Sequence, residues 1–207
     1  MSTFGWTVSG LDPDPDATSP YLADIPLLRS QLGPGILPDN SYDAVTMSHV
    51  LEHMHQPAVA LKCCFDALKP GGVMWLATPN LESPAHRAFG RYWYHLDTPR
   101  HVVLFTANAL ESLLRSTGFV PIQRLSSFWE SARHVIEGSR RVMGRDALVP
   151  PAVGMPYMPL WRRTTIVLCA MLLGSKEELV YGCVKPLADP APVTPNEHSV
   201  SDQRNSE

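Results

Sequence analysis

Apolar and polar positions alternate over Trp6 to Leu11 (WTVSGL), and the run stops at Asp12-Pro13, where proline removes the next ladder donor. A short strand and an acidic turn are expected there. Ala17 to Ser30 has the length for a poor helix, interrupted at Pro20 and Pro26. Tyr42 to Met47 (YDAVTM) reads as a second strand, introduced by the turn signal Pro38-Asp39-Asn40-Ser41. Pro57 to Leu68 switches to a helical period, with Val59, Leu61, Cys64, Phe65 and Leu68 on one stripe, and stops at Pro70-Gly71-Gly72. Val73 to Thr78 (VMWLAT) is then nearly continuous in apolar residues, as a strand covered on both faces should be. Thr106 is a good N-cap for a helix through Leu110, Leu113 and Leu114, with Gly118 placed to end it. A strand over Phe119 to Leu125, helices over Trp129 to Met143 and Trp161 to Leu173, and a last strand over Glu178 to Val184 complete the pattern. Strands alternating with helices imply an α/β sheet with helices on both faces.

Length and composition narrow the class. The 207 residues, 44% of them apolar, suffice for one domain, expected over residues 1–187. Of the 20 prolines, eight follow Val149, and residues 188–207 are too poor in apolar side chains to offset their ordering entropy, so a disordered tail is expected. Leu148 to Pro159 should lie on the fold as a proline-punctuated loop. A net charge of −3 gives no chain-wide field that would hold a polyanion, which argues against a nucleic-acid partner and leaves local basic patches open. The four cysteines lack CxxC spacing, so neither a zinc ribbon nor a secreted disulfide framework is expected, and Cys63-Cys64 read as buried thiols. The longest apolar stretch, Ile166 to Leu173, falls far short of the roughly 20 residues of a membrane span, so a cytoplasmic protein is expected.

Ligands of open α/β sheets bind beyond the carboxyl ends of the strands. Three such ends are readable: Asp12, Ser48-His49 and Thr78-Pro79-Asn80. A carboxylate at the first could accept from both hydroxyls of an adenosine ribose. The ordered set Gly10-Leu11-Asp12, Leu37-Pro38-Asp39-Asn40-Ser41-Tyr42-Asp43-Ala44-Val45, His49-Val50-Leu51-Glu52-His53, Leu68-Lys69-Pro70-Gly71-Gly72 and Ala77-Thr78-Pro79-Asn80 resembles the class I S-adenosylmethionine (SAM)-dependent methyltransferases. Within them it is most similar to the small-molecule branch that includes the ubiquinone-pathway O-methyltransferases. Tyr94-His95-Leu96-Asp97-Thr98-Pro99-Arg100-His101, followed by Phe105-Thr106, extends the match.

The resemblance implies a Rossmann-like, doubly wound, mostly parallel sheet with an antiparallel C-terminal strand. It implies SAM as cofactor and methyl transfer to a small-molecule or saccharide-precursor nucleophile. Asp12 would fix the ribose, Gln31 would lie beside the adenine, and Ser48, His49, Thr78 and Asn80 would border the cofactor. His53 and His101 are the candidate general bases. Relatives that bind a divalent metal carry acid-x-x-acid-His at the second strand end, where this chain has His49, Glu52 and His53; the plainer reading is a polar helix start whose backbone lines the pocket. Tyr92, Trp93 and Tyr94 would serve as substrate walls or as core, and the pairs Arg140-Arg141 and Arg162-Arg163 read as solvated helix faces.

The family's opening strand, glycine-rich loop and helix have no counterpart before Asp12. In the family that strand lies between the second and the fourth, so its loss would unpair buried backbone groups at roughly 1–3 kcal/mol each. The chain is therefore expected to be a fragment of a longer one, or to close its sheet differently. Direct pairing of the Asp12 and Val45 strands, pairing with a second copy, and a loosely attached N-terminal segment are the available outcomes, with weak SAM binding and self-association through the open edges. A catalytically silent methyltransferase-like module is the competing function.

Overall fold

In chain order, the elements are β1 (Gly10–Asp12), β2 (Leu27–Arg29), β3 (Tyr42–Ser48), α1 (Pro57–Ala67), β4 (Leu68–Pro79), α2 (Pro84–Phe89), α3 (Ala107–Thr117), β5 (Ile122–Arg124), α4 (Trp129–Arg145), α5 (Leu160–Leu172) and β6 (Glu178–Val184). They come from a computed structural model that describes residues 5–16, 24–125, 129–145, 159–172 and 176–187. The main sheet has the order β3-β4-β6-β5; β3 and β4 are parallel, and β6 runs antiparallel to both of its neighbours. An antiparallel last strand inside an otherwise parallel arrangement agrees with the expected fold class.

Register decides which side chains meet. Val45 lies opposite Met74 and Met47 opposite Leu76, while Met74 and Leu76 lie opposite Cys183 and Tyr181. These residues share one face, because strand side chains alternate. That face packs on Leu61 and Cys64 of α1 and on Leu110 and Leu114 of α3, which together form the main core. The α1 stripe follows from its sequence, since Pro57 takes the first helical turn and Ala60, Leu61, Cys64 and Ala67 recur on the buried side. The opposite face is more open at its β3 edge, where Ala44, Thr46 and Val73 are exposed.

The N-terminal segment departs from the expectations in two places. The first strand is confined to Gly10–Asp12, and the stretch expected as a poor helix contributes β2, with residues 17–23 lying outside the described residues. β1 and β2 pair with each other in parallel, Gly10 opposite Leu27 and Asp12 opposite Arg29. Direct pairing of the Asp12 strand with the Val45 strand is thus not adopted. The reason is local: Pro26 accepts from the Gly10 N–H at 2.9 Å, and Arg29 Nη1 donates to the Asp14 carbonyl at 2.8 Å, so β1 finds its partner within the same short segment. The expected tail after residue 187 and most of the loop from Leu148 lie outside the described residues.

A second apolar cluster, built on α2, α4 and α5, caps the carboxyl end of the sheet. Ala85, Ala88 and Phe89 meet Trp93, Val135 and Val167 there. Among the described residues, no helix is long and apolar enough to cross a membrane. Cys64 and Cys183 are buried free thiols, each pushed up to about 12 by burial.

The α3 stop was legible. Thr106 Oγ1 accepts from the Ala109 N–H at 3.2 Å, and Gly118 closes the helix at φ +110°, in the left-handed region. A Cβ at Gly118 would also lie 3.0 Å from the Phe65 ring. Gly118→Ala is therefore expected to lower stability by about 1–2 kcal/mol, read as a shift in the urea midpoint at unchanged slope.

Candidate functional site

The turn after β3 opens with a constrained residue. His49 sits at φ +51°, and its N–H donates to the Ala77 carbonyl at 2.9 Å, which turns the chain out of the sheet at the tip of β4. Leu51–His53 follows as a single 3-10 turn. Glu52 in this turn is fully buried, and a buried carboxylate must be paired. Its Oε1 lies 3.2 Å from His49 Nδ1, and its Oε2 accepts from Thr78 Oγ1 at 3.0 Å. The other ring nitrogen of His49 lies 3.3 Å from Glu178 Oε1.

Charge on these groups follows from their partners. Hydrogen bonds to Glu178 and Glu52 outweigh desolvation and raise His49 to about 10, so it is an imidazolium at neutral pH. Burial acts to raise Glu52, yet the bonds from His49 and Thr78 hold it below the ordinary carboxylate value. His95 behaves oppositely: burial, with the neighbouring charge of His49, lowers it to about 4. Its ring stacks between those of His49, 5.9 Å away, and His101, 6.2 Å away. His95 Nε2 is buried and has no hydrogen-bond partner in the protein.

These rings line a cavity of about 450 Å³, together with His53, Tyr94, Asp97, Arg100, His134 of α4 and Glu178. His53 Nδ1 lies 2.9 Å from the Arg100 carbonyl, and His101 Nδ1 lies 2.7 Å from the His95 carbonyl. A carbonyl only accepts, so each Nδ1 is the donor and Nε2 is the ring nitrogen turned away from that bond. The two rings meet edge to face at 4.7 Å. Ligand-capable atoms of Glu52, His53 and His101 lie within 4.8 Å of one another.

The structure brings some sequence candidates together and leaves others apart. His49, His53 and His101 share the cavity, and Glu52 supports it from beneath. In the possible metal set, His101 stands beside Glu52 and His53, whereas both nitrogens of His49 face carboxylates. Thr78 is fully buried against Glu52. Asn80 is buried too, with its amide donating to the Lys176 carbonyl at 2.9 Å and its Oδ1 accepting from the Glu82 N–H. Asp12 is half-buried at the end of β1, where its Oδ1 accepts from the Asp14 N–H at 2.9 Å; Gln31 and Ser48 are exposed. Of the aromatic triplet, Trp93 belongs to the core and Tyr94 lines the cavity.

His95, Glu178 and His134 were not singled out from sequence. The signal for Glu178 was available, because an antiparallel last strand starts where its parallel neighbours end, and the register sets Glu178 opposite Pro79. His95 lies inside a quoted motif, but nothing in its spacing distinguishes a buried ring from a surface one. His134 is placed only by the packing of α4, where the Tyr94 N–H donates to Ser139 Oγ at 3.0 Å and a Cβ at Gly138 would meet the Tyr94 ring at 2.6 Å.

The His49–Glu52 pair makes stability depend on pH in a definite sense. The raised His49 value contributes stability that is complete below about 6.5 and lost as pH rises toward about 10. The lowered Glu52 value contributes stability above about 4.5 that is lost as pH falls below it. Urea midpoints are expected to decline from pH 6.5 to pH 9.5, and His49→Gln should flatten that decline. Glu52→Ala should cost about 2–4 kcal/mol, since it removes one of the two carboxylates on the His49 imidazolium and leaves the Thr78 hydroxyl without its partner.

Comparison with known proteins gives this geometry its context. A family model described as a methyltransferase domain matches residues 1–124. A probable SAM-dependent methyltransferase of Mycolicibacterium smegmatis is 35% identical over 120 residues, covering 54% of this chain and 43% of that protein. The ubiquinone/menaquinone biosynthesis C-methyltransferase of Salmonella arizonae is 36% identical over 78 residues, covering 36% of this chain and 30% of that one. The chain thus matches less than half the length of either relative. A crystal structure of a SAM-dependent methyltransferase from Archaeoglobus fulgidus superposes with a TM-score of 0.54 at 16% identity, covering 85% of this chain and 75% of that one, which establishes likeness of fold. Since the family match runs from the N-terminus through β5 and takes in both histidine-bearing segments of the cavity, the chain belongs to the class I SAM-dependent methyltransferases.

Proposed function

We propose that the chain transfers a methyl group from SAM to a nucleophile of a small molecule or saccharide precursor held in the histidine-lined cavity. The observation that carries this reading is the fixed orientation of His53 and His101. Both rings spend Nδ1 on a backbone carbonyl, which leaves Nε2 as the nitrogen through which a neutral ring would take up a proton in a cavity at the strand tips. SAM supplies a methyl group already activated by positive sulfur. The residues of the chain need only align the nucleophile, exclude water and take up one proton.

Asp12 fits the ribose, being a carboxylate at a strand end with one oxygen oriented by a backbone N–H. Ser48 and His49 border the cofactor through their backbone, with Gln31 toward the adenine. Thr78 and Asn80 act from below, Thr78 by holding Glu52 and Asn80 by holding the segment that leads into Glu178. His101, whose side chain is almost fully buried, is the better-placed base, and His53 is the alternative.

The silent-module reading draws on the separation of the β1–β2 pair from the main sheet. Calorimetry with SAM separates the two. A saturable heat that Asp12→Ala weakens by about 1.5–3 kcal/mol supports methyl transfer, and absence of binding supports the silent module. With binding established, His101→Gln is expected to lower turnover by about 10²–10⁴ at unchanged SAM affinity.

A metal held by Glu52, His53 and His101 is a second reading, resting on their proximity. The His49 imidazolium already neutralises Glu52, which weakens the attraction for a divalent cation. Methyl transfer is therefore expected to be indifferent to chelator. Loss on chelation with recovery on added divalent ion, both abolished by His53→Ala, would assign these side chains as ligands instead.

A further inference from the structure

Helix α5 buries one stripe and leaves a second, equally apolar one in solvent. Val167 is buried in the capping cluster and Leu160 packs against it. About 100° around the helix, Trp161, Thr165, Leu168 and Leu172 recur at the spacing of a single face. Trp161 is 64% exposed, Leu168 54% and Leu172 88%. Thr165 does not interrupt this stripe, because its hydroxyl donates to the Trp161 carbonyl at 2.8 Å and leaves no polar group in need of water. The helix carries two arginines and no carboxylate. The Arg162 guanidinium lies over the Trp161 ring at 5.4 Å, so the cations gather at the N-terminal end and the barest leucine sits at the other.

We infer that this face docks on an anionic lipid bilayer. The helix is about 20 Å long, too short to span, and would lie in the interface with Leu168 and Leu172 below the headgroups. Trp161 and Arg162 would sit at headgroup level, where an amphipathic ring and a cation are both satisfied. A second copy of the chain fits less well. The three exposed side chains offer on the order of 400 Å², about half the ~800 Å² per partner of a stable interface. Anionic lipid matches both the apolar stripe and the Arg162 cation beside it, for which the described residues show no ion pair.

Docking of this kind requires neither SAM nor a methyl acceptor, so it can hold or fail independently of the activity proposed above. The full chain is sedimented with vesicles of phosphatidylcholine containing phosphatidylglycerol, and with pure phosphatidylcholine, at low and high salt. Binding to the anionic vesicles that weakens with salt is expected. The double substitution Leu168→Asp with Leu172→Asp should reduce the partition coefficient at least about tenfold. Arg162→Glu should reduce binding to the anionic vesicles and its salt dependence. Circular dichroism checks that the variants fold; should the double variant fail, Leu172→Asn, at the most exposed position, is expected to weaken binding in the same direction. Absence of binding by the parent chain at low salt overturns the inference, as does undiminished binding by the leucine variants. A parent dimer that ignores vesicles and is split by the same substitutions also overturns it, and makes a second copy the occupant.

Discussion

A single fully buried carboxylate organises the carboxyl end of this sheet. Glu52 cannot remain ionised at zero exposure without partners, and it recruits them from three parts of the chain. Its oxygens engage His49 at the end of β3 and Thr78 at the end of β4, while its backbone carbonyl accepts from the N–H groups of Val102 and Val103 at 2.9 and 3.2 Å. Two strand tips and the loop that carries His101 are thereby fixed to one residue. Glu178 completes the clamp from β6, and the left-handed φ of His49 is the local cost of aiming its ring between two carboxylates.

The cavity depends on a division of labour between two cores. The main core, on the α1 and α3 side, sets strand register and so the relative height of Ser48, Thr78 and Glu178. The capping cluster sets what lies above them, because Val135 of α4 belongs to both the cluster and the cavity wall. Trp93 is buried in that cluster while Tyr94, its neighbour in sequence, turns its ring toward the cavity and is held through its backbone by Ser139. Changes in α4 packing should therefore reach the cavity through Tyr94 without touching the strands.

Much of this was legible in the sequence wherever a residue's type dictates its geometry. The proline at the start of α1, the Thr106 cap, the Gly118 stop and the bounds of β6 follow from capping rules and periodicity, and the structure matches them within a few residues. β2 was not legible, because Leu27–Arg29 is only three residues long and its existence depends on a partner 17 residues earlier rather than on its own pattern. The site was half legible. Histidine spacing after β3 marked the turn, but the roles divided only in three dimensions: His49 went to the carboxylates, and His101 arrived from 48 residues downstream to stand beside His53. Glu178 entered through the direction of β6, which the resemblance implied although the strand's own residue pattern does not show it.

Two stacked imidazoles 5.9 Å apart carry different charge states, and the contrast explains how one cavity can hold both a cationic and a neutral ring. His49 is charged because two carboxylates surround it; His95, buried and with no carboxylate hydrogen-bonded to it among the described residues, is kept neutral by desolvation and by the charge on His49 itself. The neutral ring then separates His49 from His101 within the stack, so the ring opposite the clamp does not face the imidazolium directly. His101 is turned by its bond to the His95 carbonyl, and so the residue that insulates it also orients it.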